Sequence, residues 1–256
     1  FGWTETGQLV PAVLDIVSTT TKADPASVTN TLVLSPTGYT TLNISGNVAL
    51  DLSPDWEVAL MSVKTVAAAG FDAGLHVYLY GNTNDLDIAV GDGADVVVAG
   101  FGNDSIATGG GDDIIFAGRA ADVVDAGAGN DWIRGGPARD VMTGGTGADT
   151  FAYVFAYESS IDTGVDVITD FTAGAGGDVL DFHDLTHGAA SFAGNAANYG
   201  AVQAALAAGS VRAVMDTSTG NLYLDVDASG TLDGTHDIAI QLIGAGTGLV
   251  AANFLF

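Results

Sequence analysis

Between residues 91 and 152 the apolar side chains do not keep the 3.6-residue spacing of a helix. They return every nine positions, at Val97, Ile106, Ile115, Val124, Ile133, Met142 and Phe151. Each sits in a short run such as "IIF" that is flanked by glycine-rich polar residues. A three-residue strand whose middle side chain points inward satisfies this pattern, because successive strand residues face opposite sides. Nine residues then make one turn plus one strand, and two such units make a coil of 18 whose strands stack on strands of like position.

The polar positions keep the same period. Asp95, Asp104, Asp113, Asp122, Asp131, Asp140 and Asp149 each stand two residues before the apolar position, and a glycine stands four before each Asp, from Gly91 to Gly145. Glycine permits the left-handed turn conformations that bring carbonyl oxygens close to a cation, and aspartate adds a short, hard, charged oxygen. Turns 18 residues apart share an edge. Asp95, Asp113, Asp131 and Asp149 therefore line a first edge, and Asp104, Asp122 and Asp140 line a second.

With coils about 4.8 Å apart, neighbouring carboxylates repel by about 1 kcal/mol in water and about 3 kcal/mol at an effective dielectric near 20. Aspartates that only capped turns would leave this repulsion in place. Several Ca²⁺ ions held between stacked turns would reverse it and satisfy turn carbonyls that strands cannot pair. The expected ligand set is the seven aspartates together with Gly91, Gly93, Gly109, Gly111, Gly127, Gly129, Gly145 and Gly147.

The edges are not equivalent. A second turn glycine is present on the first edge as Gly93, Gly111, Gly129 and Gly147, whereas on the other only Gly102 remains beside Ala120 and Ala138. Alanine resists positive φ, so the second-edge cups are expected to be strained. Pro137 removes a donor there, and Arg119, Arg134 and Arg139 lie near enough to stand in for a missing ion.

Upstream of the array, "TLVLS", "TTLNIS", "VALDL", "VALMSV" and "HVYLYG" read as short strands of a solenoid or sandwich stacked on the coils, and "YGNTND", ending at Asp85, as a degenerate first rung. Downstream, residues 195 to 208 read as a helix on alanine content, and "NFLF" as a strand docking on the core. "DVDASGTLD" places Asp225, Asp227, Ser229 and Asp233 around Gly230, like the start of an EF-hand loop without its terminal Glu, and makes a further calcium site of Asp225, Asp227 and Asp233. The fold class is all-β: a parallel β-roll or β-helix solenoid with flanking β-rich segments and a short C-terminal helix. Residues 1–80 are expected to form a β-rich solenoid or sandwich segment, 81–152 the calcium-binding roll, and 153–256 a C-terminal capping region.

Charge narrows the partners. Six Lys and Arg against 31 Asp and Glu give a net charge of −25, which argues against nucleic acid and anionic membranes. Only Glu5, Glu57 and Glu158 among those 31 are glutamates, so the remaining 28 are aspartates, residues of turns rather than of solvated helices. Cysteine is absent, which excludes disulfides and thiolate metal sites. No apolar run reaches membrane-spanning length, and Phe1-Gly2-Trp3-Thr4 reads as the start of a fragment rather than of a whole chain. His183 and His187 lack the glutamate of a metalloprotease motif, His76 and His236 stand isolated, and Ser159 and Ser160 have no positioned base, so no enzyme is expected.

The repeats "TGGGDDIIF" from Thr108, "AGAGNDWIR" from Ala126 and "GGTGADTFA" from Gly144 resemble the RTX nonapeptide, whose family folds as a calcium-binding parallel β-roll. The upstream "TTLNISGNVALDL" is similar to RTX surface-layer proteins, and the segment from "TGGTGADTF" to "DVLDF" and the tail resemble serralysin-type C-terminal domains, which implies that "DVITDF" and "DVLDF" are strands and that the acidic turns between them can hold further Ca²⁺. These resemblances imply export by type I secretion machinery, with the secretion signal in the uncleaved tail, and a place outside the cell or on a bacterial surface. The function expected is a calcium-dependent structural region of an S-layer-like protein that folds and self-assembles into a lattice or filament. The alternative is a secretion and folding module of a protease, lipase or adhesin.

Overall fold

The computed structural model describes residues 12–18, 29–31, 39–52, 61–162, 164–186, 191–207, 213–227, 229–233, 236–245 and 248–256. Phe1 to Thr4, Trp56, His187 and most of "TLVLS" lie outside them. Every nine-residue unit from Asp95 to Ala152 carries one three-residue strand, and successive strands fall alternately in two sheets.

One sheet stacks Val96–Val98, Ile114–Phe116, Trp132–Arg134 and Thr150–Ala152 in parallel, pairing Val97 with Ile115, Ile115 with Ile133 and Ile133 with Phe151. The other stacks Ser105–Ala107, Val123–Asp125 and Val141–Thr143, pairing Ile106 with Val124 and Val124 with Met142. All seven apolar residues of the period are inward and at most 2% exposed. Burying side chains of this size is worth about 1.5–3 kcal/mol each. The core is therefore a double column, one residue wide per strand.

Both columns continue upstream. Strands Tyr39–Gly46, Thr65–Ala67 and Asp87–Ala89 extend one sheet, and Ala49–Leu52 and Leu75–Tyr78 the other, all in parallel register. The upstream segment is thus more of the same solenoid, in one core with the repeats. Downstream, Asp166–Ile168 and Val179–Asp181 add the next strand to each sheet, after longer intervals than 18.

Beyond them the first of these strands is followed in the sheet by Ile238–Leu242, in parallel, and then by Asn221–Leu224 and Ala213–Asp216, in antiparallel order, with Phe192–Ala196 at the outside. The helix Tyr199–Ala207 packs Val202 and Leu206 against Val214, Tyr223 and Ala239. It starts later than alanine content suggests. Asn195 and Ala196 belong to the preceding strand, and Asn198 caps the helix by accepting the Ala201 N–H at 3.1 Å. The strand Phe254–Leu255 closes the other sheet against Leu180 and Asp181, and Phe256 stacks on Phe182.

Candidate metal centre

Each aspartate of the period immediately precedes a strand, with its side chain turned inward on the same side as the apolar residue two positions later. All seven are at most 2% exposed. Their two carboxylate oxygens do different work.

The Oδ1 atoms tie the coils together. On the first edge the N–H groups of Leu75, Asp95, Asp113 and Asp131 donate to Oδ1 of Asp95, Asp113, Asp131 and Asp149, at 2.7 to 3.0 Å. On the second edge those of Leu86, Asp104 and Asp122 donate to Asp104, Asp122 and Asp140 at 2.8 Å. Each carboxylate thus satisfies a backbone donor one coil below, in the place where a strand offers no carbonyl.

The Oδ2 atoms face the opposite situation. Those of Asp95, Asp113, Asp122, Asp131, Asp140 and Asp149 are buried without a hydrogen-bond partner. Burial, more than charge repulsion, pushes these acids up: Asp95 and Asp122 to about 8, Asp140 to about 7, and Asp131 and Asp149 to about 6. Asp104, whose Oδ2 accepts the Gly100 N–H at 3.2 Å, also rises to about 6, and Asp113 rises too. A stack of buried anionic oxygens lacking donors calls for a hard cation.

Both ladders run further than the unbroken period. Asp140 N–H donates to Asp166 Oδ1 at 2.8 Å, and Asp149 N–H to Asp178 Oδ1 at 3.0 Å. Asp166 Oδ2 is again buried, with the Tyr153 hydroxyl as its polar neighbour, and burial raises both acids. The signal for them is the string Asp-x-apolar in "DVI" and "DVL", which the longer spacing hides. At the other end, the turn "YGNTND" stacks one coil below Gly100–Asn103, with Phe101 N–H donating to the Asn82 carbonyl at 2.7 Å, but Asp85 does not join the ladder. Its carboxylate is exposed and accepts the Asn103 N–H, while Leu86 occupies the ladder position.

The glycines make room for the stack. Gly109, Gly111, Gly127, Gly129, Gly145 and Gly147 have φ between +89° and +144°, whereas Gly91 and Gly93 lie outside the positive region. At Gly111, Gly129 and Gly147 a Cβ would run into the carbonyl of the glycine one coil earlier. Gly135 and Gly144 matter in a way the repeat did not reveal: a Cβ there would strike the carboxylates of Asp140 and Asp149.

The first-edge turns are also laced to one another, with Gly110 bridging to Ala128 and Ala128 to Thr146 in parallel. On the second edge Ala120 and Ala138 adopt φ of +71° and +106°, the only non-glycine residues with positive φ among the described residues. Two of the three arginines have side-chain partners of their own. Arg134 bonds Glu158 through both Nε, at 3.0 Å, and Nη2, and Arg119 stacks over Phe101.

The loop after Leu224 gathers acids differently. Carboxylate oxygens of Asp225, Asp227 and Asp237 lie within 4.8 Å of one another, as do ligand atoms of Asp227, Asp233 and His236. Asp237 and His236 were not legible as members, and His236 is not isolated, since its Nδ1 is 3.2 Å from Asp233 Oδ1. The Asp225 oxygens accept the N–H groups of Ser229 and Gly230. Backbone donors satisfy this carboxylate, unlike those of the ladder.

Residues 90–124 and residues 117–151 each match the family described as the RTX calcium-binding nonapeptide repeat (4 copies). These coils are RTX calcium-binding repeats. Calcium is the cation that the oxygen-only donor set and the unpartnered Oδ2 atoms fit. Among solved structures, the chain is similar to the solution structure of the AlgE6R3 subunit from the Azotobacter vinelandii mannuronan C5-epimerase, at 26% identity, covering 69% of this chain and 80% of that one with a TM-score of 0.33. No curated protein matches. No helix among the described residues is long and apolar enough to cross a membrane.

Proposed function

We propose that this chain is a calcium-dependent structural region of a secreted bacterial cell-surface protein of S-layer type, exported in an extended state by type I secretion machinery and folding on Ca²⁺ outside the cell. The observation that carries the reading is the double row of buried Oδ2 atoms without donors. In a low-calcium cytosol their repulsion keeps the coils apart, and ligand binding to the folded form alone drives folding outside. The ladder aspartates with the turn glycines form the principal sites in this reading, and Asp225, Asp227 and Asp233 a separate one. Residues 81–152 are the calcium-binding part, with residues 1–80 and 153–256 flanking it.

Support for assembly comes from the outer strand faces, where Ile114 and Leu255 on one sheet and Val123 on the other are 42%, 49% and 53% exposed. Electron microscopy with and without millimolar Ca²⁺ tests this. Sheets or filaments should form only with the ion, and a monodisperse monomer at high calcium would favour a secretion and folding module of an enzyme or adhesin instead.

A further inference from the structure

Arginine is rare in this chain, and two of its arginines line one cleft. Arg119 and Arg134 border a depression of about 320 Å³ between the second-edge turns and the segment that leaves the roll after Ala152. Its walls are aromatic: Tyr80, Phe101 and Phe116 from successive coils, Phe155 and Tyr157 from the departing segment. Tyr80 is 71% exposed, with Phe155 at 45% and Tyr157 at 47%. Exposing such rings together is costly, so the surface needs a reason.

The rings are held in place. Tyr80 meets Phe101 edge-on at 5.8 Å, Phe155 and Tyr157 stack nearly parallel at 5.1 Å, and Arg134 lies 5.7 Å over Phe155. Buried Glu158 fixes Arg134 and also accepts the Val154 N–H at 2.8 Å, which anchors the departing segment. The Arg134 charge is thereby neutralised. Arg119 is exposed over Phe101 at 5.1 Å, and no carboxylate pairs with it among the described residues. It leaves one uncompensated guanidinium beside a ring-lined floor in a protein of net charge −25.

We propose that this cleft binds an acidic saccharide, with apolar sugar faces against the rings and a sugar carboxylate forked by Arg119. A guanidinium matches a carboxylate bidentately, and ring faces accept the C–H surface of a sugar. A polyphosphate chain is a poor occupant, because the field of the whole molecule repels it over more than the single arginine spans. The site depends only on folded coils and not on whether they assemble.

The test uses the calcium-saturated chain, with circular dichroism confirming the roll in every variant. Trp132, whose ring lies 5.0 Å from that of Phe116, reports on the cleft by fluorescence. A hyaluronan tetrasaccharide should bind, uncharged cellotetraose and an oligothymidylate should bind about tenfold more weakly or not at all, and Arg119→Gln should cost about tenfold. Tyr80→Ala should weaken the same ligand several-fold. Failure of the acidic tetrasaccharide to bind, equal binding of cellotetraose, tighter binding of the oligonucleotide, or unchanged affinity in both variants would overturn the proposal.

Discussion

Two stretches of one solenoid solve the same packing problem with opposite chemistry. In the upstream coils Leu50, Leu75 and Leu86 hold the inward position at the start of the strand and are at most 3% exposed. From Asp95 onward that position is aspartate. Where leucine stands one coil above, the backbone closes on itself: Leu50 N–H donates to the Gly74 carbonyl at 3.0 Å. Where aspartate stands above, as for Leu75 beneath Asp95, a carboxylate takes the donor. Leucine makes the upstream coils self-sufficient through burial, whereas aspartate makes the repeats depend on a cation. In the proposed reading, calcium dependence is thus written into one position per turn.

Removing calcium should separate the two stretches most sharply. Hydrogen exchange at neutral pH with EGTA should show amides of residues 91–152 losing nearly all protection, while those of residues 39–52 and 61–90 keep measurably more. Equal collapse would mean that the leucine coils are only an extension of the calcium-bound ones. Unchanged protection throughout would remove the distinction altogether.

Acid should mimic the ion in part. The ladder acids rise from an ordinary 3.8 to between about 6 and about 8 in the fold without metal. Raised acids bind protons more tightly folded than unfolded, so the stability they contribute is complete below about 4 and disappears as pH climbs through 6 to 8. In calcium-free buffer the β signal in circular dichroism should therefore be strong at pH 5 and fall towards pH 8, and millimolar Ca²⁺ should abolish that fall. A calcium-free signal that grew with pH would contradict the assignment of the ladder as the source.

Single substitutions divide the two oxygens. Asp131→Ala removes the acceptor of the Asp113 N–H, leaving a buried donor at a cost of about 1–3 kcal/mol, and removes the ligand proposed to be shared by two stacked calcium sites. Asp131→Asn keeps the acceptor and loses the charge. Calorimetry should find calcium affinity reduced in both variants, with metal-free thermal stability at pH 5 preserved only in the asparagine. Asp140→Ala, on the strained edge, should weaken calcium binding less than Asp131→Ala, and equal losses would make the edges equivalent.

The repeat was legible because each of its columns obeys one constraint at fixed spacing: an inward apolar residue, an inward acid and a glycine that must accept a neighbouring carbonyl. The ladder ends were not legible for the converse reason. Asp166 and Asp178 obey the same chemistry, but inserted segments lengthen the coil, and without the period the Asp-x-apolar strings "DVI" and "DVL" do not single these two out among the chain's many aspartates. The upstream coils were partly hidden too, since leucine at the ladder position looks like any strand residue. That each carboxylate is split between a backbone donor and a cation is a matter of orientation and had no sequence signature. The cleft was equally invisible, because Tyr80, Phe101, Arg119 and Phe155 meet only through stacking of coils and the departure of the chain at Ala152.

The smallest effect concerns strain on the second edge. Ala138 at φ +106° and Ala120 at +71° occupy conformations that disfavour any Cβ, by about 1 kcal/mol or more each. Ala138→Gly should therefore raise the melting temperature in calcium slightly, despite the greater freedom glycine gives the unfolded chain, because the fold already requires the conformation that only glycine adopts freely. The reciprocal change on the first edge, Gly129→Ala at φ +144°, adds a collision with the Gly111 carbonyl and should lower it by far more. The contrast isolates what alanine does to a cup. If Ala138→Gly also tightens calcium binding, the second edge is a weakened copy of the first; if it stabilises without changing affinity, its turns have been released from metal binding and are free to hold the aromatic cleft.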